Sequence, residues 1–223
     1  MGRKIIDRID EEVLSRTAER CRERDILIPT FAQHMNPDLV PDRIRDRLTQ
    51  VGLWDVDPAN LFRITWKNEA REHGGLFGNG NWIEFPTALT GVDARIVGLV
   101  GKYFPTGSHK VGAGFGCLVP RLVSGNFDPT RQKAVWPSTG NFCRGGAFDC
   151  ALLACPAVAI LPEEMSPERF EWLRGIGTDE IFPVHPRHVH QPRIIAQHED
   201  RAALKVLVLH QHGQGTIEKL LIR

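Results

Sequence analysis

Between residues 133 and 182 the sequence alternates short apolar runs with helical stretches, and this alternation limits the possible folds more than any other feature. Residues 134–137 read as a short strand, 145–154 as a helix of small residues and 157–161 as a buried strand. Residues 166–174 read as a second helix, with Ser166 as its cap and Pro167 at its first position. Residues 179–182 add a third strand. Strands joined by helices run parallel, because a helical crossover brings the chain back to the edge it left. The expected class is α/β, a parallel sheet flanked by helices.

The chain before this unit has a different rhythm. Ile5, Ile9, Val13, Thr17 and Cys21 recur every fourth residue between charged positions, which marks one face of an amphipathic helix. Residues 41–53 read as a second helix with proline near its first turn, and 58–70 as a third. The Gly/Asn-rich HGGLFGNGNWIEFP, residues 73–86, reads as loop. ARIVGLV, residues 94–100, is a short β-like run, and Thr106, Gly107 and Ser108 break and cap the chain ahead of a helix over 110–123. Three regions follow: 1–125, a helical arm and part of a larger domain; 126–182, a small α/β domain; and 183–223, a tail. The tail holds six of the nine histidines and does not continue the alternation.

A net charge of +1 gives no electrostatic reason to expect nucleic acid or an anionic membrane as partner. The first residues, MGRKIIDRIDEE, turn acidic before an apolar run develops, so no signal peptide is expected, and Ile6 stands where myristoylation needs Ser or Thr. No apolar stretch is long enough to span a bilayer. The five cysteines form no C-x-x-C pair, and reduced thiols in a cytoplasmic protein are the expectation. His188 and His190 would face one side of a strand, but no acid or cysteine stands with them and His185, so no metal site is expected.

Two segments carry chemistry. A Walker loop is excluded by the spacing from Gly101 to Gly107, and Gly112, Gly114 and Gly116 lie inside a helical pattern rather than in a dinucleotide loop. In TGSHKVGAGFG, residues 106–116, Lys110 stands in the first turn of a helix. The positive helix end disfavours its ammonium charge, a condition that suits an amine attacking an aldehyde. In WPSTGNFCRGG, residues 136–146, Ser138, Thr139, Gly140 and Asn141 fill a turn from strand to helix, where backbone N–H groups suit a carboxylate. Each segment taken alone reads more readily as a surface lysine or an ordinary capped turn.

Together and in this order, the two segments resemble the fold-type-II pyridoxal-phosphate (PLP) enzymes, the family of tryptophan synthase β chains, cysteine synthases and threonine dehydratases. TGSHK is most similar to the lysine motif of tryptophan synthase β chains, and STGNF to the S-G-N loop of cysteine synthases and dehydratases. EFPTALTG (84–91) resembles the family's early P-T-P-L segment, and ILPEEMSPERFEWLRGIG (160–177) a strand ending in P-E before a helix. The resemblance runs from about residue 84 to 181. It implies a lyase or β-replacement enzyme acting on a small amino-acid substrate. Lys110 would hold PLP and act as base for the α-proton. Asn141 would bond the cofactor's ring oxygen, His109 would contact its phosphate, and Ser138, Thr139, Gly140 and Asn141 would bind substrate. Phe142 replaces a residue usually small and polar.

The resemblance also implies a later glycine-rich phosphate loop and a group facing the pyridine nitrogen, and neither is found; the nearest candidate is Gly213-Gln214-Gly215-Thr216. The large domain is then incomplete. Either the tail is out of frame and the enzyme is truncated at its C-terminus, or a second subunit or a homodimer partner supplies the other half. The alternative to the enzyme reading is a non-catalytic fragment or interaction subunit that retains the small α/β domain.

Overall fold

The computed structural model describes residues 8–69, 76–138, 140–188 and 205–208. At its centre a four-stranded, all-parallel sheet has the order β5-β4-β3-β6, formed by β3 (Gln132–Pro137), β4 (Ala157–Pro162), β5 (Glu180–Val184) and β6 (Lys205–Val208). Helix α6 (Asn141–Leu152) connects β3 to β4, and α7 (Pro167–Gly175) connects β4 to β5. The expected α/β class with a parallel sheet and helices is the one observed.

The period-two alternation of the strands decides what each face meets. Ala134, Trp136, Ala157, Ala159 and Leu161 face the main core, with Val111, Phe115, Leu118 and Leu122 of α5 (Lys110–Leu122) and Phe142, Ala147 and Phe148 of α6. Val135, Val158, Ile160 and Val184 form a separate cluster on the other face. Trp136 and Phe148 are fully buried. Each such side chain contributes about 2–3 kcal/mol of transfer free energy. The core is continuous across residue 125, from Ile26 through Phe127 to Leu173.

The N-terminal arm is tied to this core. In α1 (Glu11–Glu23) Asp10 caps the helix by accepting from the Val13 N–H, Thr17 is buried and Cys21 packs on the core. Ile5 lies outside the described residues, and Ile9 is exposed and precedes the helix. The Asp10 N–H donates to the Ser124 carbonyl at 2.9 Å, and Arg16 pairs with Asp128 at 3.0 Å. After α2 (Phe31–Met35), α3 (Asp42–Leu48) buries Ile44 and Leu48 with Val40, Ala59 and Phe62.

Three local readings change. The helix expected over 58–70 is a 3-10 helix, Pro58–Arg63, whose buried Arg63 donates to the Leu48 carbonyl and so holds the segment to α3. Part of the expected loop 73–86 is instead β1 (Trp82–Phe85), paired antiparallel with β2 (Ile96–Leu99), with the short α4 (Thr87–Thr90) between them. Glycine and asparagine before residue 82 hid the strand-forming Trp-Ile-Glu-Phe run behind them. In the tail, β6 pairs in parallel with β3, Ala134 opposite Leu207, so a strand follows where the alternation was expected to stop. Ser166 precedes α7 but makes no side-chain bond to its backbone. His190 and the Gly213–Thr216 segment lie outside the described residues.

Candidate functional site

Lys110 begins α5, and the loop before it is held in an unusual conformation. Thr106 (φ 67°) and Gly107 (φ 66°) are both left-handed, and for a β-branched threonine that is a genuine outlier. Thr106 is buried, and its hydroxyl has no hydrogen-bond partner among the described residues. Ser108 Oγ accepts from the Lys110 N–H at 3.3 Å, which ties the start of α5 to the loop. Lys110 is half-buried and pairs with no carboxylate among the described residues. His109 is exposed, with its ring stacked on Trp66 at 5.6 Å.

The second segment is placed by the sheet. Ser138 follows β3, is buried, and donates its N–H to the Ile160 carbonyl at 3.2 Å. Its Oγ accepts from the Gly140 N–H at 3.3 Å. Asn141 is the first residue of α6 and is exposed; Thr139 lies outside the described residues. Phe142 does not shape an open pocket: it is buried, edge-on to Trp136 at 5.4 Å.

Glycines bring these segments together. A Cβ placed on Gly145 falls 2.6 Å from the Val111 nitrogen and 2.8 Å from the Lys110 carbonyl carbon. A Cβ on Gly146 falls 2.2 Å from the Trp136 ring, and one on Gly114 falls 3.0 Å from Gly146 Cα. Helix α6 therefore rests with bare backbone on the first turns of α5 and on β3. The contacts rise in step along both helices, so the two run in the same sense with their N-termini at the same end. Gly145 is four residues from Asn141, or about 6 Å along the axis. The start of α6, with its unsatisfied N–H groups, is thus roughly one turn from the start of α5.

Several residues at this junction escaped the sequence reading. Asp149 is fully buried in α6, neither carboxyl oxygen has a partner among the described residues, and a Cβ on Gly114 would fall 2.4 Å from Oδ2. Burial pushes its carboxyl well above the usual range, which favours its neutral form. A single acid in GGAFDCALL was the available signal. Burial also pushes the Cys143 thiol up to about 12, which removes it as a nucleophile. Arg144 of α6 lies 4.5 Å over Trp54 and 4.8 Å over Trp172. An open depression lined by Glu84–Thr87 and Asp93–Arg95 contains none of the expected site residues. No helix among the described residues is long and apolar enough to cross a membrane.

No protein-family model matches the sequence, and no curated protein matches it. Solved structures do. The O-acetylserine-dependent cystathionine β-synthase of Helicobacter pylori superposes with a TM-score of 0.50 at 14% identity, over 59% of this chain and 43% of that one. A hydrogen sulfide-producing enzyme of Fusobacterium nucleatum gives a TM-score of 0.48 at 19% identity, over 59% and 42%. A cysteine synthase of Entamoeba histolytica gives 0.47 at 17%, over 59% and 40%. The aligned part spans about two-fifths of each of these enzymes. The fold over that part is the fold of the fold-type-II PLP enzymes, as the motif order implied.

Proposed function

We propose that this chain carries the lysine-bearing part of a PLP-dependent enzyme that performs elimination or β-replacement on an amino acid. One observation carries the reading: bare-glycine packing at Gly145 sets the start of α6 against the turn that begins with Lys110. That arrangement supports a site in which the Lys110 amine and a helix end suited to a carboxylate serve one small molecule.

The residues of the lysine loop and the STGN turn suit the cofactor's aldehyde and ring oxygen, although no glycine-rich phosphate loop is found in the sequence. Lys110 would hold the cofactor through its aldehyde, and the orphaned buried hydroxyl of Thr106 is a donor without a partner among the described residues of the same loop. Bound PLP would supply an electron sink for the negative charge left at the substrate's α-carbon. Lys110 takes the α-proton. The first-turn N–H groups of α6, Ser138, Thr139 and Gly140 would hold the α-carboxylate, and Asn141 would bond the cofactor's ring oxygen. His109, stacked on Trp66, would be the residue to meet the cofactor phosphate. The TGSHK motif favours a lysine environment like that of tryptophan synthase β chains. The working location is the cytoplasm, in a homodimer or with a second subunit.

The test is reconstitution of the full chain with PLP, borohydride reduction and peptide mass spectrometry. The expected result is a cofactor adduct on Lys110 and a visible absorbance band that Lys110→Ala lacks. A colourless protein with no adduct in excess PLP refutes the proposal.

A second reading, a non-catalytic interaction subunit, draws on the β1–β2 pair. Trp82, Ile83, Val97 and Leu99 are all exposed there, and a two-stranded sheet is marginal without cover. Sedimentation showing assembly by a chain that takes up no PLP would favour it.

A further inference from the structure

The described residues leave two guanidinium groups beside the STGN turn without an anion. Arg144, in the first turn of α6, fits into the corner between Trp54 and Trp172, whose rings meet edge to face at 5.9 Å. Arg169 of α7 extends Nη1 to 4.0 Å from the position of a Cβ on Gly140. Neither side chain makes an ion pair or hydrogen bond with any described residue, and the buried Nε of Arg144 is unpartnered. Burial, and after it the neighbouring charge of Arg169, lowers the pKa of Arg144. Two half-buried cations that repel each other, next to the positive end of a helix, form an arrangement that an anion relieves.

The position of the pair indicates which anion. Trp54 reaches across the lysine loop, 3.2 Å from a Cβ placed on Gly107, and so links Arg144 to the Lys110 side. Arg169 borders Gly140 on the carboxylate side. The α6 N–H groups already serve one carboxylate, and two planar forks of donors remain. We infer that Arg144 and Arg169 form a subsite for a second anionic group, so that the substrate is an amino acid with a negatively charged side chain, either a carboxylate or a phosphate ester. This rests on the proposed PLP reading.

The test compares L-serine, L-aspartate and O-phospho-L-serine with the PLP-loaded full chain, following absorbance of the bound cofactor and heat of binding. At least one acidic ligand is expected to bind ten-fold or more tightly than serine, and which one does so separates carboxylate from phosphate. In Arg169→Gln and Arg144→Gln that preference falls to near one, while Arg169→Lys keeps part of it. Circular dichroism melting confirms that the variants fold. No preference in the parent protein overturns the inference. So does an equal loss for all three ligands, which would assign Arg169 to the α-carboxylate, or a loss of PLP itself, which would assign the pair to the cofactor. If Lys110 takes up no PLP, calorimetry with inorganic phosphate decides the subsite separately. Binding that persists in Lys110→Ala and disappears in Arg169→Gln upholds it, and no binding overturns it.

Discussion

Replacing Gly145 by alanine tests the joint on which the site depends. The new Cβ would lie 2.6 Å from the Val111 nitrogen and 2.8 Å from the Lys110 carbonyl carbon, both backbone atoms that cannot rotate away. Ordinary contact begins at 3.4 Å, so α6 must withdraw by about 0.8 Å (3.4 minus 2.6) at its first turns. Overpacking of this kind costs roughly 1–3 kcal/mol. Against it stands the gain of about 1 kcal/mol from replacing glycine by alanine in a helix. The net expectation is a loss of up to about 2 kcal/mol, or a fall in Tm of up to roughly 8 °C for a chain of this size. Gly116 is the internal control: it lies in α5, and a Cβ there meets nothing within 4 Å. Gly116→Ala should stabilise by roughly 0.5–1 kcal/mol. The assay is thermal and urea unfolding of both variants, with borohydride-fixed PLP on Lys110 as a second readout. Gly145→Ala is expected to lose cofactor attachment more steeply than stability, because the start of α6 moves away from Lys110. If Gly145→Ala matches Gly116→Ala in Tm and in PLP uptake, the close α5–α6 contact is not what sets the site.

Two further outcomes follow from buried groups. The Asp149 carboxyl is raised above its ordinary value of 3.8 by burial, so the folded state holds a proton that the unfolded chain releases. Stability from this group is complete below about pH 4 and falls as pH rises toward the folded pKa. Asp149→Asn should flatten that decline above about pH 4 in Tm measurements, and an unchanged slope would show that Asp149 is not its source. The Cys143 and Cys155 thiols are pushed by burial up to about 12. Iodoacetamide at pH 8 should leave both unmodified in the native protein and label them in urea; native labelling at a rate comparable to a free thiol would contradict their burial.

The candidate site was legible where chemistry and spacing coincide. Lys110, Ser138 and Asn141 could be singled out because a lysine at a helix start and a donor-rich strand-to-helix turn are local features. Arg144 and Arg169 could not, and Asp149 showed only as a lone acid in an apolar helix, because what distinguishes all three is what they do or do not face. An arginine between two tryptophans from separate segments, and an acid wedged against a glycine of another helix, look like ordinary helix residues along the chain. Phe142, which the sequence marked only as replacing a small polar residue, is turned under Trp136 by the helix start.

Local patterning by itself determined the α/β class, the parallel sense of β3, β4 and β5, and the helix that begins at Lys110, because hydrophobic period and crossover geometry act over a few residues at a time. Tertiary structure alone decided that Trp82–Phe85 is a strand, that Lys205–Val208 joins the sheet beside β3, and that the lysine and the STGN turn meet through Gly145. Each of these depends on a partner far away in the chain: a strand needs a neighbour to bond to, and a glycine becomes a point of contact only when another backbone arrives against it.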